Sequence, residues 1–164
     1  MAEPFRIIRR VEFSDTDAAG IVHFSAFFRY MEQAEHELLR SVGLSVIAHD
    51  DAGKISWPRG SAKCDYRSPA RFEDLLEVAV SITRLGEKSI TYGFAFQRGE
   101  QPIAQGEMTA ICCRFPIGGQ PKSMPIPESV VAKLLPFCSV GRSCGATADP
   151  RVLDPTTTSS TPQN

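Results

Sequence analysis

DTDAAGIVHF, residues 15–24, is the stretch on which the reading of this chain turns. Two acids spaced one apart lead into Ala-Ala-Gly and then an abrupt apolar run. Upstream, FRIIRRVEF (residues 5–13) puts Phe5, Ile7, Val11 and Phe13 on one face at a period of two, interrupted by Arg9, and predicts a half-buried strand. Downstream, residues 25–42 contain neither Gly nor Pro, and Gly43 follows as a stop, so the spacing predicts one long helix. At about 100° per residue, Phe24, Phe27, Phe28, Met31, Ala34 and Leu38 share a face, with Arg29, Gln33, His36 and Arg40 opposite. Glu35 falls inside the apolar stripe. It reads as a buried acid with a structural partner at a subunit interface, ahead of a second active-site carboxylate.

The turn between strand and helix has two readings. Ser25 would cap the helix and leave the amides near Val22 to Phe24 without partners, free to polarise a carbonyl and hold an oxyanion. Such a donor contributes roughly 3 kcal/mol to acyl transfer. Asp17 is well placed upstream to attack that carbonyl or to activate water, whereas Asp15 lies nearer the strand end. Gly20 would let the backbone approach a ligand, and His23 is either a general acid or a lining residue of the helix mouth. The same residues also make ordinary turn and capping chemistry, so spacing by itself leaves both readings open.

Beyond the helix, LSVIAHDDAGKISWPRG is rich in turn residues and predicts a short helical piece plus a loop, with Trp57 beside Pro58 either lidding a site or covering the core. SAKCDYRS resumes extended character. LLEVAVSI (75–82), SITYGFAF (89–96) and PIAQGEMTAICCRF (102–115) are three strand candidates rich in β-branched and aromatic residues. Their connections RLGEKS and QRGEQP predict hairpins, hence an antiparallel meander. A short helix is expected over 127–137, opened by Pro127. The order is α+β, one antiparallel sheet wrapped around one long central helix, and its open edges predict pairing with a second copy.

The chain has 164 residues, 42% of them hydrophobic, including ten Phe, which suits one domain over residues 1–138. Residues 139–164 are poor in bulky apolar side chains and are expected to be disordered. With 18 Lys and Arg against 19 Asp and Glu, no overall field attracts nucleic acid or an anionic membrane. No run approaches the roughly 18 apolar residues of a membrane span, and the first residues lack a leader's apolar core, so a cytoplasmic place is expected. The five cysteines (64, 112, 113, 138, 144) have no CxxC spacing and read as free thiols. His23, His36 and His49 have no ligand spacing, so neither a metal nor another cofactor is expected.

VEFSDTDAAGIVHFSAFFRYMEQAEHELLRSVGLS resembles the N-terminal signature of the 4-hydroxybenzoyl-CoA thioesterase family, and YRSPARFEDLLEV resembles its second motif. The resemblance covers about residues 5–115 and implies a hotdog-fold acyl-CoA hydrolase acting as a homodimer or homotetramer with sites between subunits. It implies Asp17 as nucleophile or general base and the Phe24 amide as the group that polarises the thioester carbonyl. Lys88 and Ser89 match the place where the family holds coenzyme A phosphates, with Arg84 or Arg67 as further cations. Glu32 matches a helix acid facing the acyl group's distal hydroxyl, although pairing with Arg29 one turn back is an equal expectation. A dehydratase of the same fold would need a loop absent here. A non-catalytic acyl-CoA-binding sensor or scaffold would keep the groove and lose the attacking acid.

Overall fold

The computed structural model describes residues 2–139. Five strands form the main sheet: β1 (Phe5–Arg10), β4 (Arg59–Tyr66), β5 (Leu75–Leu85), β6 (Ser89–Arg98) and β7 (Gln101–Ile111). Their spatial order is β1-β5-β6-β7-β4, and every neighbouring pair is antiparallel. The alternation expected from the sequence sets the faces. Leu76, Val78, Val80 and Ile82 of β5 and Ile90, Tyr92, Phe94 and Phe96 of β6 are buried, while Ala79, Ser81, Gly93 and Ala95 point the other way.

Helix α1 (Ala26–Ser41) packs on the buried face through Ala26, Phe27, Tyr30, Met31, Ala34, Glu35, Leu38 and Leu39. Burying each large apolar side chain of this set stabilises by about 1.5–3 kcal/mol, so the helix is held by the sheet more than by its own propensity. Close approach to β7 occurs at Gly106, where a Cβ would collide with the Met31 sulfur. This is the α+β arrangement, a sheet around one long helix, that the order of elements predicts, and it agrees with the hotdog fold that the resemblance implies.

Several expectations are corrected. Residues 47–56 are not helical: β2 (Ile47–Asp50) and β3 (Gly53–Ser56) form a hairpin. Its turn, Asp50-Asp51-Ala52-Gly53, is stabilised by the Asp50 carboxylate accepting the Ala52 N–H at 3.0 Å. The hairpin joins β8 (Cys113–Phe115) and β9 (Lys122–Ser123) in a second sheet of order β2-β3-β8-β9. The strand predicted over 102–115 therefore breaks at Cys112, whose N–H donates to the Lys88 carbonyl at 2.8 Å. β1 ends at Arg10, and Phe13, placed by its spacing on the buried face, is 77% exposed in a 3-10 turn over Phe13–Asp15. Pro127 precedes the short helix α2 (Glu128–Leu134) by one residue. The expectation for the tail lies, beyond Ser139, outside the described residues.

Candidate active site

The quoted stretch folds as a tight excursion between β1 and α1. Thr16 and Val22 form an isolated antiparallel bridge, Asp17 N donates to Ile21 O at 2.9 Å, and Gly20 N donates to Asp17 O at 2.9 Å. Gly20 sits at φ +73°, the left-handed region that favours glycine, and an added Cβ would meet only the Arg71 guanidinium at 3.9 Å. What the described residues require of Gly20 is its backbone conformation. The half-buried Asp17 carboxylate accepts the Ala19 N–H at 2.8 Å through Oδ1, an Asx turn that directs the side chain. The loop is tied sideways by Val22 N to Ala70 O at 2.8 Å and by Arg71 Nη1 to Gly20 O at 3.4 Å.

The exit of the loop sets up the helix start. His23 N donates to Asp15 O at 2.8 Å, and Ala26 N donates to His23 O at 2.9 Å. Ser25 does not cap the helix: its hydroxyl lies 2.7 Å from His23 Nδ1, and its N–H donates to the same atom at 3.3 Å. Both contacts converge on Nδ1, and among the described residues Nε2 has no hydrogen-bond partner. Between these anchored residues, the Phe24 N–H donates no hydrogen bond among the described residues. It stands where the 16-residue α1 begins, and aligned peptide dipoles give that end a partial positive charge. The Phe24 ring is 60% exposed and lies against His23 with centroids 4.4 Å apart. Tyr66 Oη donates to Phe24 O at 3.1 Å.

Asp15 is a different kind of acid from Asp17. It is buried, and its carboxylate accepts from Tyr30 Oη at 2.6 Å, Arg29 Nη2 at 2.9 Å and Glu12 N at 3.1 Å. Burial by itself would raise this carboxyl, but hydrogen bonds from Tyr30, Arg29 and Glu12 outweigh it and leave the acid below its ordinary range. Burial, and then the bond to Asp15, push the Tyr30 phenol well above its ordinary range.

The other expected residues lie further off. Glu32 does not pair with Arg29, which is taken by Asp15; it sits 3.5 Å from Arg59. Arg59 also pairs with Glu35, which is 1% exposed, so this buried acid has a partner in its own chain. Trp57 is half-buried against the core, two residues before β4 begins at Arg59, whereas Tyr66 at the other end of β4 meets Phe24. Lys88 is exposed and Ser89 half-buried in the β5–β6 turn. That turn is at the opposite end of β5 from Leu75, the end next to the Asp17 loop, and eleven strand residues separate the two by roughly 33 Å. The structure thus gathers Asp17, Gly20, His23 and Phe24, and leaves Lys88, Ser89 and Trp57 apart from them.

The sequence reading missed Asp15 as a buried anchor, Tyr30, Tyr66 and Arg59. Tyr66 was accessible as the first residue of YRSPAR; the others meet only through the packing of α1 against the loop and the edge of the sheet. Among the described residues no three His, Cys, Asp or Glu side chains gather as a metal site would. Cys112 is fully buried and its thiol is pushed up to about 11, by burial first and then by Cys113, so it is a poor nucleophile. A recess of about 520 Å³ lies on the far face of the sheet between Arg6, Ser81, Gly93 and Glu107, and none of the expected catalytic residues lines it.

Residues 11–134 match the thioesterase-like superfamily. The chain belongs to that superfamily. It is 28% identical to the acyl-CoA thioester hydrolase YbgC of Escherichia coli over 129 residues, 79% of this chain and 94% of that one. A 1,4-dihydroxy-2-naphthoyl-CoA thioesterase from Synechocystis superposes with a TM-score of 0.69 at 26% identity, covering 80% of this chain and 95% of its own. A gentisyl-coenzyme A thioesterase superposes with a TM-score of 0.68 at 29% identity, covering 79% and 99%. No helix among the described residues is long and apolar enough to cross a membrane.

Proposed function

We propose that this chain hydrolyses the thioester of an acyl-CoA, releasing a carboxylic acid and coenzyme A. The observation that carries the proposal is the Phe24 N–H, a helix-terminal amide without an acceptor among the described residues, in the same loop that presents the Asp17 carboxylate. The thioester oxygen would accept from this amide, and the negative charge that grows on it during attack would meet a donor already in place. Asp17 then either attacks the thioester carbon, forming an anhydride that water opens, or takes a proton from a water that attacks. In both routes the C–S bond breaks and the thiolate leaves with coenzyme A. His23 holds the backbone on either side of that amide.

One subunit is not sufficient for this reading. Lys88 and Ser89, the proposed contacts for the coenzyme A phosphates, lie about a whole strand length from Asp17 within one chain. They can serve the same coenzyme A only if they come from a second copy. β4 pairs with β7 along one edge, and no described strand pairs with its other edge, which is a natural place for such pairing. A homodimer or homotetramer with composite sites follows, with Gly20, Glu32 and Trp57 as further proposed contacts to the substrate. The cytoplasm is its proposed place of action, and the free thiols of Cys64, Cys112 and Cys113 suit a reducing compartment.

The test is thiol release from acetyl-, octanoyl- and benzoyl-CoA by the wild-type protein and Asp17→Asn. Turnover of at least one substrate, lost in the variant, is expected. Equal turnover by both proteins would remove Asp17 from the mechanism, and binding without turnover of any thioester would turn the protein into a sensor.

A further inference from the structure

We propose that Asp15 is the positioning residue of the hydrolytic loop, a role that rests on the assignment of Asp17 and the Phe24 amide above. Asp15 is a buried acid at the site that the chemistry leaves unused. Its carboxylate is fully engaged: Oδ2 accepts from Tyr30 Oη at 2.6 Å and Glu12 N at 3.1 Å, and Oδ1 accepts from Arg29 Nη2 at 2.9 Å. An oxygen held in this way has little freedom to attack a substrate. It has another use.

The partners come from separate pieces of the chain. Glu12 ends the passage out of β1, Arg29 and Tyr30 belong to α1, and the Asp15 carbonyl accepts the N–H of His23 at the loop's exit, 2.8 Å away. One residue therefore joins the entry of the loop, its exit and the helix. Asp17 follows Asp15 by two residues, and the Phe24 amide is the peptide immediately after His23. The Thr16–Val22 bridge and the Asp17–Ile21 hydrogen bond make the intervening loop a closed ladder that moves with its base. The direction from the Asp17 carboxylate to the Phe24 N–H is thus set where Asp15 is clamped.

A carboxylate suits the position because all three groups facing it are donors and it is acceptor-only. Tyr30 is itself immobilised: it is 1% exposed, its ring edge meets Phe27 at 6.1 Å, and the Arg9 guanidinium lies 5.6 Å from its centroid. Asp15→Asn turns an amide N–H₂ toward at least one donor and loosens the clamp without changing its volume. Tyr30→Phe removes the 2.6 Å bond and leaves the acid intact.

The experiment measures kcat and KM for Asp15→Asn and Tyr30→Phe, and for each combined with Asp17→Asn, on whichever of acetyl-, octanoyl- or benzoyl-CoA is turned over fastest. The expected result is a kcat lower by up to about 10²-fold with KM little changed, the scale set by a small misplacement of reacting groups. In the Asp17→Asn background the same changes should cost nothing further, because the group they aim is gone. Folded variants with wild-type kcat, or losses that multiply with that of Asp17→Asn, would overturn the proposal. If Asp15→Asn does not fold, Tyr30→Phe decides by the same criteria. An Asp17→Asn protein with full turnover overturns both readings together, whereas an inactive Asp17→Asn beside a fully active Asp15→Asn overturns this one only.

Discussion

The Glu35 carboxylate, buried on α1, is ion-paired with the guanidinium of Arg59 at the start of the edge strand β4. Among the described residues neither Glu35 oxygen nor Arg59 Nη1 has a well-directed hydrogen bond, so the pair is held by charge and proximity. Burial pushes the Glu35 carboxyl above its ordinary range, and Arg59 pulls it partly back. The helix is fastened to the edge of the sheet by an interaction that is costly to break on one side only.

Arg59→Met should therefore destabilise the fold by about 3–5 kcal/mol at neutral pH, since it leaves an unpaired buried carboxylate. The sign of the pH dependence follows. A carboxyl with a raised folded-state pKa favours folding below its unfolded pKa and loses that advantage as pH rises through the folded value. Without Arg59 the carboxyl is raised further, so the variant's deficit should shrink as pH falls toward the ordinary carboxylate range near about 4.3. Urea denaturation across this range checks it, and Arg59→Met combined with Glu35→Leu should recover much of the loss.

Asp15 should show the opposite slope. Its carboxyl is lowered in the folded state, so its contribution is present above the unfolded pKa and disappears as pH falls through the folded one. Asp15→Asn should be less stable at neutral pH and flatten the acid limb of the stability curve. Tyr30→Phe should cost about 1–3 kcal/mol, the scale of an unmet buried hydrogen-bonding group. Thermal or urea unfolding from neutral to acid pH measures both.

Gly20 offers a cleaner backbone test. At φ +73° with open space around it, Gly20→Ala should cost about 1–2 kcal/mol of conformational strain. Gly20→Asn should cost less, because asparagine tolerates the left-handed region. If both variants keep their fold and only thioester turnover falls, equally in each, then the glycine is needed for approach of substrate and its conformation is secondary.

Cys112 should resist alkylation in the native protein. It is fully buried with a thiol pushed up to about 11, so iodoacetamide at neutral pH should leave it unmodified until the protein unfolds, as read by peptide mass spectrometry.

Local pattern carried much of this protein. The strand before DTDAAGIVHF, the helix after it and the three-strand meander are legible because hydrophobic periods of two and 3.6 reflect which face each element buries. The gathering of Asp17, Gly20, His23 and Phe24 was equally legible, since those residues are neighbours along the chain. Local rules were less able to read 47–56, where turn residues fit a loop or a hairpin and the choice depends on β8 lying alongside to receive β3.

Tertiary structure decided what holds the first of two nearly adjacent acids. Asp15 and Asp17 have the same chemistry, but Asp15 meets a tyrosine fifteen residues on, whereas among the described residues the Asp17 carboxylate accepts only from its own turn. It also decided that Arg59 answers the acid in the helix stripe, and that Lys88 and Ser89 stand a strand length from the loop. These outcomes depend on strand register and on how the helix rotates over the sheet. Such long-range geometry leaves no periodic trace in a sequence, because one residue of register changes the partner without changing the pattern of either segment.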